Sequence, residues 1–160
     1  MIRYSDLRVV IIRNLNKIKS RLGNINDFYS NEYVNLLLIT AWNESKAGQN
    51  LKQVDPERFG LFGITQKEHA EIYDEIIYNN NYGNIKEVFK SATGVCCPAN
   101  VEALETNLAY QVLMGRCLYM SREKEVFKGG SFRECYEYLF KYWPTKFKKS
   151  TERINDQKDL

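Results

Sequence analysis

The chain of 160 residues has one histidine, His69, and four cysteines, so side chains that ligate transition metals are scarce. Zinc sites use His, Cys and acidic ligands at short spacings, and His69 stands far from the adjacent Cys96-Cys97 pair. No metal or other cofactor is expected. Long apolar runs are missing too. The longest, Tyr33 to Trp42, is interrupted by Asn35 and Thr40 and falls short of the ~20 residues that cross a bilayer. No membrane span is expected. One-signed charge is also lacking: the net charge is +3, with basic residues scattered until Lys146-Phe147-Lys148-Lys149. That excludes the basic stripe of nucleic-acid binders, so no nucleic-acid partner is expected. The opening MIRYSDLRVVIIRNLNKIK has charges within its short apolar run and no small-residue cleavage site, so no secretory signal is expected.

The cysteines are Cys96, Cys97, Cys117 and Cys135. Two are adjacent, where bridging is difficult, and Cys117 and Cys135 sit in apolar helical patterns; reduced thiols are expected. With 44% hydrophobic and 13% aromatic residues, the chain can bury the core of one domain. That domain is expected over residues 1–147, with a charged tail over 148–160.

Leu7, Ile11, Leu15, Ile18 and Leu22 recur at helical spacing before Gly23, predicting an amphipathic first helix. Tyr33 to Trp42 predicts a buried helix with Ser30 as N-cap, Glu32 at the positive end of its dipole, and Gly48 at the stop. Asp55-Pro56 signals a turn, and the alternation after it predicts a loop or short hairpin. Its glycines, Gly60 and Gly63, let backbone approach a ligand closely. Further helices are expected over Lys67 to Tyr78 and around Ile85, Val88 and Phe89. The longest is expected over Asn100 to Glu123, with Gly115 allowing close packing, and a last one from Ser131 to Tyr142 before Pro144. The fold class is therefore mainly α, a helical bundle around a buried central helix, with one small β element.

Glu44 falls in the last turn of the buried helix, directly after Ala41, Trp42 and Asn43. The negative end of the helix dipole and partial desolvation both favour its neutral form. A carboxyl kept protonated near neutral pH is what a general acid for glycosidic cleavage requires.

Glu44-Ser45 is followed, 16 to 22 positions on, by Gly60-Leu61-Phe62-Gly63-Ile64-Thr65-Gln66. In this the chain resembles the lysozyme-like lytic transglycosylase family, in which a helix ends in Glu-Ser and a glycine-containing turn leads to a glutamine facing the sugar groove. Glu105-Thr106-Asn107-Leu108 with Gly115-Arg116-Cys117-Leu118-Tyr119-Met120 is similar to a further family helix. Lys141-Tyr142-Trp143-Pro144 stands nearest to the family's tyrosine-bearing segment. The resemblance spans about Ser30 to Pro144. It implies an α+β lysozyme-like fold whose β element flanks a substrate groove, and cleavage of the β-1,4 bond between MurNAc and GlcNAc in peptidoglycan. Glu44 is then acid and later base. The substrate supplies its own nucleophiles, giving a 1,6-anhydro product. Ser45, Gln66 and Tyr142 orient the glutamate or the acetamido group, and Phe62 stacks on a sugar face.

Two readings compete. A hydrolytic lysozyme of the same fold would use Asp55 as second carboxylate, with water as nucleophile. A non-catalytic protein would bind glycan or serve as a virion structural component. The mild positive charge suits an anionic cell-wall polymer. By analogy, a phage product delivered by a virion or released at lysis is expected, with peptidoglycan and other virion or secretion-machine proteins as partners.

Overall fold

The computed structural model describes residues 2–22, 28–54 and 57–143. Helix α1 (Tyr4–Leu22) turns Leu7, Ile11, Leu15 and Ile18 inward, as its spacing predicts. Helix α2 (Asn31–Ser45) is buried on nearly all sides from Tyr33 to Ala41, the pattern of a helix surrounded by others. Ser30 caps it, its hydroxyl accepting from the Tyr33 amide at 3.2 Å.

The helix stops earlier than Gly48. Lys46 and Ala47 take left-handed φ values of 53° and 52°, and their amides bond back to the Trp42 and Ala41 carbonyls. Gly48 continues the left-handed turn with φ 90°. The reversal begins once these two carbonyls are satisfied, so two non-glycine residues bear the conformation that glycine would adopt without strain.

A two-stranded antiparallel hairpin follows, β1 (Lys52–Val54) against β2 (Glu57–Phe59). The Asp55-Pro56 turn signal lies outside the described residues. The chain then folds inward over Gly60 to Ile64, where Phe59 and Ile64 exchange both backbone hydrogen bonds at 3.0 Å. This segment is pinned to the helices. The Leu61 amide donates to Gln111 Oε1 at 2.7 Å, and a Cβ on Gly60 would lie 2.1 Å from the Leu104 carbonyl oxygen. Gly60 has φ 74°, so an alanine there meets both backbone strain and a backbone clash. We expect Gly60→Ala to lose about 2–3 kcal/mol of stability, seen as a lowered urea midpoint; an unchanged midpoint would contradict this packing.

Helix α3 (Gln66–Ile72) opens on a capping box of Thr65 and Glu68 and runs into a π-helical turn over Tyr73–Ile77. Helix α4 (Ile85–Thr93) ends at Gly94. The long helix expected over Asn100 to Glu123 is broken into α5 (Ala103–Thr106) and α6 (Leu108–Arg122). The break is Asn107. Its Oδ1 accepts from the Tyr110 amide at 2.9 Å and its Nδ2 donates to the Thr93 carbonyl at 2.8 Å. An asparagine side chain that caps one helix and ends another outweighs the continuous apolar periodicity. The longest described helix is therefore α1. Helix α7 (Phe132–Tyr142) begins on the Ser131 and Glu134 capping box; Pro144 and the tail lie outside the described residues.

The protein is mainly helical with one small antiparallel sheet. Helices α2 and α6 form its centre, α1 and α7 pack against α2, and α1, α3 and α4 pack against α6. No described helix is long and apolar enough to cross a membrane.

Candidate functional site

Glu44 occupies the last turn of α2, where its side chain is 5% exposed. The hairpin and the inward turn after it cover the carboxyl. A Cβ on Gly63 would sit 3.2 Å from Glu44 Oε2, close enough to press the carboxyl aside by a few tenths of an ångström, and the φ of 57° strains any side chain there. From β2, Arg58 places Nη1 3.6 Å from the same Oε2. That nitrogen also donates to the Gly63 carbonyl at 2.9 Å, which fixes the guanidinium to the turn. Gln53 on β1 donates to the Glu44 main-chain carbonyl at 2.7 Å, satisfying an acceptor at the helix end.

The other carboxyl oxygen has a different partner. Asn43 Nδ2 donates to Glu44 Oε1 at 2.7 Å, and Tyr136 of α7 donates its hydroxyl to Asn43 Oδ1 at 3.2 Å. Beneath lies Tyr119 of α6, bonded to Thr40 at 2.7 Å. Burial foremost, with the Glu44 charge among lesser causes, holds the Tyr119 phenol well above its usual range. Around Glu44, burial and the helix C-terminus favour the neutral carboxyl, whereas the guanidinium favours the carboxylate. The sequence exposes the first two influences and conceals the third.

The remaining candidates scatter. Ser45 is fully buried; its hydroxyl donates to the Ala41 carbonyl at 3.0 Å and accepts from the Gly48 amide at 3.0 Å. It closes the end of the helix and is not presented to a substrate. Phe62 is 1% exposed, its ring lying against Gly115 and Trp143, so it has no face open to a sugar. The close approach at Gly115 is real, but its partner is this ring. Gly60 likewise approaches the protein's own backbone and no ligand. Gln66 is exposed at the first position of α3, three residues after Gly63.

Tyr142 bonds Glu125 at 3.3 Å and lines a surface cavity of about 540 Å³ with Arg122, Lys124, Glu125 and Lys141. The tyrosine of α7 that reaches the Glu44 cluster is instead Tyr136, six residues earlier and so on another face of the helix. Asp55 lies outside the described residues. The other hairpin carboxylate, Glu57, faces Lys52 at 3.6 Å on the exposed side.

A second buried polar cluster holds His69. Its Nε2 pairs with the Tyr110 hydroxyl at 2.7 Å, Tyr110 with the Tyr73 hydroxyl at 2.9 Å, and Tyr73 accepts from the Ala99 amide at 2.9 Å. Burial lowers the His69 pKa and pushes the Tyr73 phenol up to about 12. These bonds tie α3 and its π-helical turn to α6. Among the described residues no group of three or more His, Cys, Asp or Glu gathers as metal ligands would.

All four cysteines are free thiols, Cys96 exposed and Cys117 and Cys135 buried. Burial pushes the Cys117 thiol up to about 12 and that of Cys135 up to about 11. Since the thiolate is the reactive form, a disulfide reagent at pH 8 is expected to modify Cys96 at once, and Cys117 and Cys135 only as the protein unfolds. Labelling of all four at one rate in the folded protein would contradict this.

Asn43, Arg58 and Tyr136 are the residues that sequence reasoning missed. Only Arg58 left a trace, as a lone cation between Pro56 and the apolar Phe59. No protein-family model, curated protein or solved structure matches the chain.

Proposed function

We propose that the protein cleaves peptidoglycan as a lytic transglycosylase, with Glu44 as general acid and then base. One observation supports it above the others: a carboxyl at the end of a central buried helix is roofed by a glycine turn that packs directly on its oxygen. In the reaction, Glu44 protonates the glycosidic oxygen between MurNAc and GlcNAc as that bond breaks. The N-acetyl group meets the oxocarbenium-like centre. Glu44, now a carboxylate, takes the proton of the C6 hydroxyl as that oxygen closes the 1,6-anhydro ring.

Access requires the cover over Oε2 to yield. The part able to do so is the hairpin, two strands of three residues that carry Arg58 over the carboxyl. The pinned segment Gly60 to Ile64 stays in place beside it. Peptidoglycan glycan strands are the partner, and delivery by a virion or release at lysis is the route. A hydrolytic lysozyme would need a second carboxylate beside the sugar, with Asp55 as its candidate. Mass spectrometry of a sacculus digest separates the two, since an anhydro end is one water lighter than a reducing end.

The buried pair of Glu44 with Arg58 favours a second reading, a non-catalytic protein of this architecture that binds glycan or serves in a virion. In that case the carboxylate is a structural counter-ion. Purified protein that binds sacculi and never releases soluble fragments would establish it.

A further inference from the structure

Neighbouring side chains on a helix point about 100° apart and do not ordinarily meet. Asn43 and Glu44 do meet, with Asn43 Nδ2 2.7 Å from Glu44 Oε1. The far end of the amide is engaged too, its oxygen accepting the Tyr136 hydroxyl at 3.2 Å. Tyr136 is itself held by ring contacts to Phe132 and Phe140, with centroids 5.6 Å and 4.6 Å away. Asn43 and Tyr136 are both buried.

We propose that Asn43 is a positioning residue that holds the Glu44 carboxyl by Oε1 and favours its ionised form, with Tyr136 anchoring the other end of the Asn43 amide. A hydrogen bond donated to Oε1 holds the carboxyl in place and stabilises the carboxylate over the neutral acid. Oε2 faces Arg58 at 3.6 Å and the Gly63 turn. Without the relay through Asn43 the carboxyl loses that hold on Oε1. The inference rests on Glu44 being the acid. Its physical content, that Asn43 stabilises the ionised carboxyl through Oε1, is measurable without any substrate.

Around Glu44 stand Arg58 from β2 and Tyr119 from α6, and Tyr136 from α7 reaches it through Asn43. The test follows the Glu44 carboxyl carbon by NMR in full-length protein labelled at glutamate, with Glu44→Gln supplying the assignment. Asn43→Ala removes a hydrogen bond to the charged form, so the titration midpoint is expected to rise; Asn43→Asp is expected to raise it further and split it into two coupled steps. Tyr136→Phe removes one hydroxyl and keeps the ring, and is expected to shift the midpoint in the same sense by less. It keeps the question decidable if Asn43→Ala does not fold. On sacculi, Asn43→Ala is expected to lower kcat ~10-fold or more, with KM little changed and the acid limb of the pH profile displaced with the midpoint. A midpoint unmoved in the folded variants overturns the relay, whatever the activity. A midpoint that moves in a protein inactive on sacculi upholds the relay and removes the enzyme reading.

Discussion

Glu44→Gln is expected to lower release of soluble fragments from sacculi by ~10²-fold or more, the scale of a lost general acid. The amide keeps the shape of the carboxyl and its acceptor oxygen, so Asn43 Nδ2 retains a partner in place of Oε1. What disappears is the proton and the charge facing Arg58 at 3.6 Å. Stability therefore falls as well, because the guanidinium keeps its bond to the Gly63 carbonyl but loses the Glu44 charge. The loss is expected to leave the variant folded, within the ~5–15 kcal/mol of an ordinary domain. Circular dichroism and a urea curve verify that the inactive variant is folded. Wild-type fragments ending in 1,6-anhydro-N-acetylmuramic acid identify the transglycosylase; reducing ends identify the hydrolase and make Asp55→Asn the next variant. A folded Glu44→Gln that cleaves as well as wild type ends the assignment.

Elsewhere in the core, Glu123→Ala is expected to give the largest loss of stability, ~3–5 kcal/mol, by removing a counter-charge from a buried cation. Arg116 is 1% exposed in the middle of α6. It donates through Nε to the Phe28 carbonyl at 3.0 Å and through both terminal nitrogens to Glu123 Oε1 at 3.2 Å, and it lies 3.6 Å above the Tyr33 ring. Glu123 Oε2 accepts the hydroxyls of Tyr33 and Tyr138, each at 2.8 Å. Burial, foremost, pushes the Tyr33 phenol up to about 12, so it remains a donor through the working pH range. Alanine at 123 removes four hydrogen bonds to one carboxylate. A double variant, Arg116→Met with Glu123→Leu, is expected to recover part of the loss, since an apolar pair avoids burying charge; the Tyr33 hydroxyl still loses the Glu123 carboxylate, while Tyr138 keeps the Glu125 carbonyl at 2.6 Å. Urea midpoints compare the three proteins. A single variant as stable as wild type would show that Arg116 finds compensation elsewhere.

Helix ends were readable because their signals are local. Ser30, Ser131 and Gly94 act within one turn of their own position, and each stands at the helix end its residue type predicts. The placement of Glu44 in a last turn was readable for the same reason. Asn107 was equally local, yet the apolar stripe from Val101 to Tyr119 concealed it, because a capping asparagine and a polar residue on an exposed helix face look alike in sequence. The surroundings of Glu44 were not readable. Arg58 reaches it from a hairpin whose register depends on tertiary packing, and Tyr136 reaches it from another helix through Asn43. Phe62 and Ser45 failed as contact residues because a motif gives order along the chain and no direction for side chains. Which of Phe132, Tyr136, Tyr138, Phe140 and Tyr142 on α7 faces Glu44 is settled by how the helix is rotated, and five aromatics on so short a helix leave that open.

The Tyr33 hydroxyl reaches Glu123 across 90 positions and accepts the Phe127 amide across 94. During synthesis the central helix therefore leaves the ribosome long before the groups that saturate its first turn. Until α6 and the loop after it have emerged, the Tyr33 hydroxyl lacks both of these partners. Contacts this distant in sequence form late, which slows folding and lengthens the time that apolar surface stays open to chaperones or to neighbouring chains. A nascent chain stalled before Glu123 should be readily digested by protease, and protection should arrive in one step as the last helix clears the exit tunnel.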